Sequence, residues 1–265
     1  MRIPVTRIIK IELKKFIKRS DMIVIFGLVV IAFFYTINIE NSIGTETGQS
    51  VLYWLANQMM LINALFIGPV IMSYIGAQFL AAEIDNGSVM LFEEKIRNRT
   101  KTYIGKNIAM IIVSTGLFVI SGLIMFALYL YLIAKDSSFV SGIVVGKNEA
   151  ELILLLIFIY SYTFFFIPQI SFFLGTRFKP LPAIIICTGV VLLCNYALTF
   201  VPFKYINPYW GVMCITDMML GDKSTFLKEN MEVWQYGLMQ AVLIFGYYAV
   251  LLFVGVRNFR KKDIQ

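Results

Sequence analysis

Residues 107–134 read NIAMIIVSTGLFVISGLIMFALYLYLIA, 28 consecutive positions without one Asp, Glu, Lys or Arg. A helix rises about 1.5 Å per residue, so this run exceeds the roughly 30 Å hydrocarbon core of a bilayer. Working outward, the charged residues cut the rest of the chain into five more uncharged windows: 22–39, 47–82, 152–176, 180–203 and 233–256. The shortest still holds 18 residues, enough to cross. Window 47–82 is too long for a single span, and Asn57 and Gln58 place the start of its helix near Met59, with 47–57 left as an outer loop or interfacial turn. The sequence therefore predicts an all-α polytopic membrane protein: one transmembrane domain over 1–265 with spans at about 22–39, 59–82, 107–134, 152–176, 180–203 and 233–256.

Composition agrees. Of the 265 residues, 59% are hydrophobic and only 15% charged, whereas soluble domains carry about a quarter charged residues. The net charge of +7 is a matter of topology rather than of nucleic-acid binding. Segments 1–21, 83–106, 177–179 and 257–265 hold 18 of the 23 Lys and Arg, and the alternating segments hold five. By the positive-inside rule both termini face the cytoplasm, as an even number of spans requires. The predicted location is the bacterial cytoplasmic membrane. The basic start followed by an apolar segment without a small-residue cleavage site reads as a retained signal anchor.

Several chemistries drop out. The chain has no histidine, which removes the commonest general base and metal ligand. Its three cysteines, Cys187, Cys194 and Cys214, form no CxxC motif and read as packing residues. Residues 142–148 imitate a phosphate loop but have one residue too few between the glycines and no closing Ser or Thr. No cofactor or metal site is expected. With no charge in the windows, the conspicuous polar residues in the spans are Asn63, Gln78, Gln169 and Asn195. They either hydrogen-bond between helices, each worth about 0.6–2 kcal/mol, or line a substrate pathway.

Local patterns refine the picture. In segment 1–21, Val5, Ile9, Leu13, Phe16 and Ile17 recur at helical spacing with cations on the other faces, as in an amphipathic helix lying in the inner headgroup layer. Small residues four apart (Ala77 with Ala81, Ser171 with Gly175, Gly237 with Ala241) allow close helix approach. Pro69 and Pro168 fall inside predicted spans and should kink them. The loop 204–232 contains an uncharged stretch, Tyr205 to Thr216, too short to span and read as an external helical or re-entrant element.

The inner loop 83–106 carries the most specific pattern. Gly87 and Ser88 are expected to end the second span and cap a short amphipathic helix opening at Met90, Leu91 and Phe92, with Glu93 and Glu94 near its start and Arg97, Arg99 and Lys101 near its end. An ordinary charged loop is the other reading of the same residues. Glu83, Gly87, Ser88, Leu91, an arginine twelve residues after the glycine (Arg99) and a lysine seven further (Lys106) resemble the permease family of ABC-2-type transporters. Glu12-Leu13-Lys14-Lys15 and the closing Phe259-Arg260-Lys261-Lys262-Asp263 are similar to that family as well. Ile96 stands where the family often has proline, and Ser88 replaces its commoner threonine.

The resemblance implies a non-catalytic subunit of an ATP-driven exporter. Two permease copies, identical or related, would work with two copies of a cytoplasmic ABC ATPase that binds ATP and Mg. The short cytoplasmic helix would couple the two, through Glu83, Gly87, Ser88, Leu91, Arg97, Arg99 and Lys106. It further implies a hydrophobic or amphipathic cargo, a peptide such as a bacteriocin or toxin in the first place, with drugs, lipids or ions as alternatives. An ion-coupled secondary transporter is the rival from another class.

Overall fold

The computed structural model describes residues 4–19, 27, 50–64, 66–89, 98–136, 140–144, 149–196, 205–214 and 233–261. The described chain is nearly all helical. Seven helices carry it: α1 Val5–Lys18, α2 Val51–Ala64, α3 Ile67–Asp85, α4 Arg99–Ala134, α5 Glu149–Leu174, α6 Pro180–Tyr196 and α7 Val233–Lys261. Four of them, α3, α4, α5 and α7, are long and apolar enough to cross a membrane, and α6 is a shorter apolar helix. The expected span 22–39 lies outside the described residues apart from Gly27.

The expected span 59–82 is corrected. Window 47–82 forms two helices, and the first starts at Val51, with Ser50 Oγ accepting from the Tyr53 N–H at 3.3 Å. The chain breaks at Phe66, which adopts φ 60°, and restarts at Ile67. Pro69 supplies the reason: it offers no N–H to a helix arriving from its N-terminal side, but in the first turn of a new helix that donor is not needed. The proline therefore begins α3 instead of kinking it.

Pro168 acts differently. Within α5 the segment Tyr160–Phe166 is a π-helix, and the Ile167 N–H donates five residues back to Tyr162 O. The irregularity sits immediately before the residue that lacks an N–H, where a helix most readily absorbs an extra residue.

Helix α3 packs most heavily on the last two turns of α5 and on α6. Small side chains make that approach possible. A Cβ on Gly76 would stand 2.9 Å from Ser171 Cβ, one on Gly175 would stand 3.1 Å from Ala81 Cβ, and Ser171 Oγ donates to Ser73 O at 2.5 Å. The small-residue pairs of the second and fourth windows thus face one another, trading side-chain bulk for backbone proximity. The pair Gly237 and Ala241 instead lines a cavity between α5 and α7.

Residues 205–214 insert into the bundle. Asn207 to Val212 are all buried, with a helical turn at 210–214. Asn207 Nδ2 donates to Cys194 O at the end of α6, Gln240 Nε2 to Pro208 O at 2.7 Å, and Tyr247 OH to Ile206 O at 2.8 Å. Tyr209 packs on Tyr162, and Trp210 on Tyr236. Tyr247 lies about 20 Å along α7 from its start at Val233, so this irregular backbone reaches far down the bundle.

Candidate functional site

The ends of α3 and α4 around Asp85 and Arg99, with the last turn of α7, form the charged end of the bundle. Here α1 crosses α4. The crossing is close because α4 has no side chain at Gly105: a Cβ there would stand 2.8 Å from Ile8 Cγ2. The buried face of α1 is Ile8, Glu12 and Phe16, at spacings of four. One turn in three on that face is a carboxylate. Ile17, expected on the apolar side, is 65% exposed, so α1 is seated on the bundle through a different face than its aliphatic count suggests.

Glu12 enters the bundle beside Glu83 of α3 and Lys106 of α4. The Lys106 ammonium donates to Glu12 Oε1 at 2.9 Å and also to Glu83 Oε2. Lys106, Glu83 and Glu12 are 0%, 1% and 2% exposed. Two cations from α1 close the cluster at its wetter edge: Lys15 Nζ lies 3.3 Å from both Glu12 and Glu83, and Arg19 Nη2 donates to Glu83 Oε1 at 2.8 Å. Arg19 also reaches Gln78 O at 3.4 Å. Three cations thus surround two carboxylates. A buried ion is tolerated only when paired and hydrogen-bonded, and here each carboxylate has more than one donor. The arrangement fixes three separate chain segments to one another and supplies no free nucleophile or base. Among the described residues no group of His, Cys, Asp and Glu could hold a metal.

The motif residues of the sequence separate into three groups. Glu83 and Lys106 flank the loop 83–106 and meet inside the bundle, so they are not a surface for a partner to touch. Gly87, with φ 68°, follows the end of α3, and Ser88, itself helical, donates its Oγ back to Glu83 O at 3.3 Å; the residues it was expected to cap lie outside the described ones. Leu91 and Arg97, with the expected coupling helix, lie outside the described residues.

Arg99 and Lys101 are corrected. They open α4, which begins eight residues before the expected Asn107, because Asn98 Oδ1 accepts from the Lys101 N–H at 3.1 Å and caps it. Two cations in a first turn are the unfavourable sense for the helix dipole. Arg99 Nη1 donates to Arg260 O at 3.0 Å, tying the start of α4 to the end of α7. Between them lies an open cleft of about 590 Å³ lined by Asn98, Arg99, Thr100, Lys101 and Arg260.

The four pathway candidates are not brought together. Asn63 is fully buried and accepts from Thr163 Oγ1 at 3.0 Å. Gln169 Oε1 accepts from Asn107 Nδ2 at 2.6 Å, and Tyr248 OH donates to Asn107 Oδ1 at 3.1 Å, joining α4, α5 and α7. Asn195 accepts from Tyr162 OH at 3.3 Å, and Gln78 contributes its backbone carbonyl to Arg19. The first three serve as links between helices.

Sequence reasoning missed the part played by Glu12, Lys15, Arg19, Gly105 and Asn107. A signal existed for the first: Glu12 lies midway between Ile8 and Phe16 at helical spacing, the only acid on an otherwise apolar line of a basic helix. Comparison with protein-family models, with curated proteins and with solved structures gives no match.

Proposed function

We propose that this chain is the transmembrane permease subunit of an ATP-driven exporter of the ABC-2 type, with six spans, both termini in the cytoplasm and the charged end as the inner end. ATP would be bound and hydrolysed in a separate ATPase subunit, and the cargo would be a hydrophobic or amphipathic molecule, a peptide in the first place. The observation that carries this reading is the Glu12–Lys106–Glu83 cluster. It clamps both ends of the loop 83–106 to each other and to the interfacial helix α1. A push on that loop from outside the chain is then delivered to α1, α3 and α4 as one body. A permease driven by another chain requires such a rigid lever and no catalytic residue of its own.

The open cleft at Arg99, Lys101 and Arg260 supports the same reading, since it presents cations to a partner and suits acidic groups on an ATPase. Segment 205–214, buried with its carbonyls served by Tyr247 and Gln240, fits a re-entrant element, because irregular backbone is tolerated in a membrane only where protein satisfies it.

The test is purification of the tagged chain from its native membrane with identification of co-purifying nucleotide-binding subunits. A Walker-type ATPase should accompany the wild type, and Leu91→Asp or Arg99→Glu should reduce its recovery at least about tenfold, the loss expected when a buried contact is replaced by an unpaired charge. Wild-type recovery by both variants, or no ATPase at all, overturns the proposal. One observation favours the rival ion-coupled transporter: the cluster contains two buried carboxylates and a buried lysine, the residue types that bind coupling ions. Transport that survives ATP depletion and stops with an uncoupler would select that reading.

A further inference from the structure

The outward face of α1 is the part of the charged end that the coupling reading leaves unused. Arg7, Lys10, Lys14 and Lys18 follow one another at spacings of three or four, so they form one stripe about 16 Å long. All four are exposed, and none pairs with an acid among the described residues. The single acid of the helix, Glu12, is turned inward with Ile8 and Phe16, on the opposite side. Between the two lies an apolar row, Ile9, Leu13 and Ile17. Ile9 and Leu13 are half-buried against the core, and Ile17 is 65% exposed.

How α1 lies decides what this face meets. Ile8 sits over Gly105 of α4, two residues before the uncharged run 107–134 begins. Phe16 stacks on Phe79 of α3, four residues before Glu83, where the uncharged window 47–82 has just ended. Helix α1 therefore crosses both neighbours where their charge-free stretches stop, and both neighbours are long and apolar enough to cross a membrane. It lies across the bundle at the edge of the hydrocarbon layer, where headgroups border it. A free amphipathic helix would hold the bilayer by its apolar face, but here Ile8 and Phe16 are already covered by α3 and α4. What remains for the leaflet is one exposed isoleucine beside four cations. A stripe of one sign, lying in the plane of the headgroups, is complementary to acidic phosphates, and the long side chains can reach them while their stems lie along Ile17.

We propose that α1 binds acidic phospholipids through Arg7, Lys10, Lys14 and Lys18, so that its hold on the membrane surface is electrostatic and depends on lipid charge. The inference rests on α3 and α4 crossing a membrane and not on an ATPase. The test places the full chain in phosphatidylcholine nanodiscs with a trace of one of two probes, a phosphatidylglycerol or a phosphatidylcholine carrying a diazirine beside its headgroup. Labelled residues are mapped by mass spectrometry. In the wild type at low salt, α1 should take the acidic probe at least about fivefold more than the zwitterionic one, the ratio set by even a single cation near an acidic surface. High salt should bring the ratio towards one. Arg7→Gln, Lys10→Gln, Lys14→Gln and Lys18→Gln combined should abolish the preference and leave the thermal unfolding midpoint unchanged, since none of the four belongs to the ion cluster. Lys179→Gln, which removes an exposed cation that faces Asp85, should leave the preference as it is. Equal labelling by the two probes in the wild type would reduce the stripe to a topology signal. No labelling of α1 by either probe would mean that an acidic protein covers it, and a preference that survives the fourfold variant or high salt would rule out these charges as its cause. Each of these results overturns the proposal, and recovery or loss of a co-purifying ATPase alters none of them.

Discussion

At the charged end α1, α3 and α4 meet through five charged side chains, whereas segment 205–214 is tied to α6 and α7 by hydrogen bonds from neutral donors. Both places bury polar material inside an apolar bundle, and each solves a different problem. The ion cluster joins side chains from distant parts of the sequence, with Lys15 and Arg19 about one-third exposed at its rim, so water helps to solvate its net positive charge. Segment 205–214 places backbone carbonyls inside the bundle, where tyrosine and glutamine reach them, and asparagine reaches the end of α6, without importing a charge. Charge is used where it is partly hydrated, and neutral hydrogen bonds where it is not.

The largest predicted effect breaks the charged half of that contrast. Lys106→Met leaves Glu12 and Glu83 side by side with only the rim cations to hold them. Removing one partner of a buried ion cluster costs about 3–5 kcal/mol, read as a lowered midpoint of thermal unfolding in detergent. Adding Glu83→Gln to Lys106→Met should recover at least about half of that loss, because Glu12 then keeps Lys15 as its partner with no second carboxylate beside it. No recovery would mean that Lys106 acts through packing and not through charge.

How much of this was legible in the sequence depends on the range of the interaction involved. Hydropathy located the four long helices and the short α6, since each needs only its own residues to be apolar. Helix ends were read less well: Asn98 as an N-cap and Pro69 as a helix start depend on one or two residues that a window of uncharged positions averages away. The ion cluster was half visible. Glu83 and Lys106 stood out as a spaced pair, but Glu12 joins them from 71 positions before Glu83, and no local spacing encodes that contact. Gly105 was silent for the same reason, because its meaning is the Ile8 side chain that lies over it.

Gly105 provides the next test, of whether close approach or charge seats α1. Gly105→Val forces α1 away from α4, with an overpacking cost of about 1–3 kcal/mol. It should also expose the Lys106–Glu12 pair to water, so limited proteolysis should cut within α1 while α3 to α7 stay intact. If α1 remains protected, the charges alone suffice to hold it.

A smaller effect is expected in the neutral half. Tyr247→Phe removes the donor to Ile206 O and nothing else, and a neutral hydrogen bond is worth about 0.5–1.5 kcal/mol. Because no ion is involved, the loss should be the same at low and high salt. Unfolding midpoints of Tyr247→Phe and wild type at two ionic strengths decide it, and a salt-dependent difference would mean that segment 205–214 is held electrostatically after all.

The smallest effect isolates burial from charge. Lys179 lies 3.3 Å from Asp85 at the same end of the bundle as Lys106, but the two side chains are 79% and 39% exposed. The chemistry of this ion pair is that of Lys106 with Glu83; only its hydration differs. In water the attraction is screened and the unpaired Asp85 is readily solvated, so Lys179→Ala should cost no more than about 1 kcal/mol and nothing measurable at high salt. Lys106→Met should keep most of its effect under those conditions, since little solvent or salt reaches its ammonium. Comparable losses from the two substitutions would show that the buried cluster is as hydrated as the surface pair, and the lever proposed between the loop and α1 would then be too soft to transmit a push.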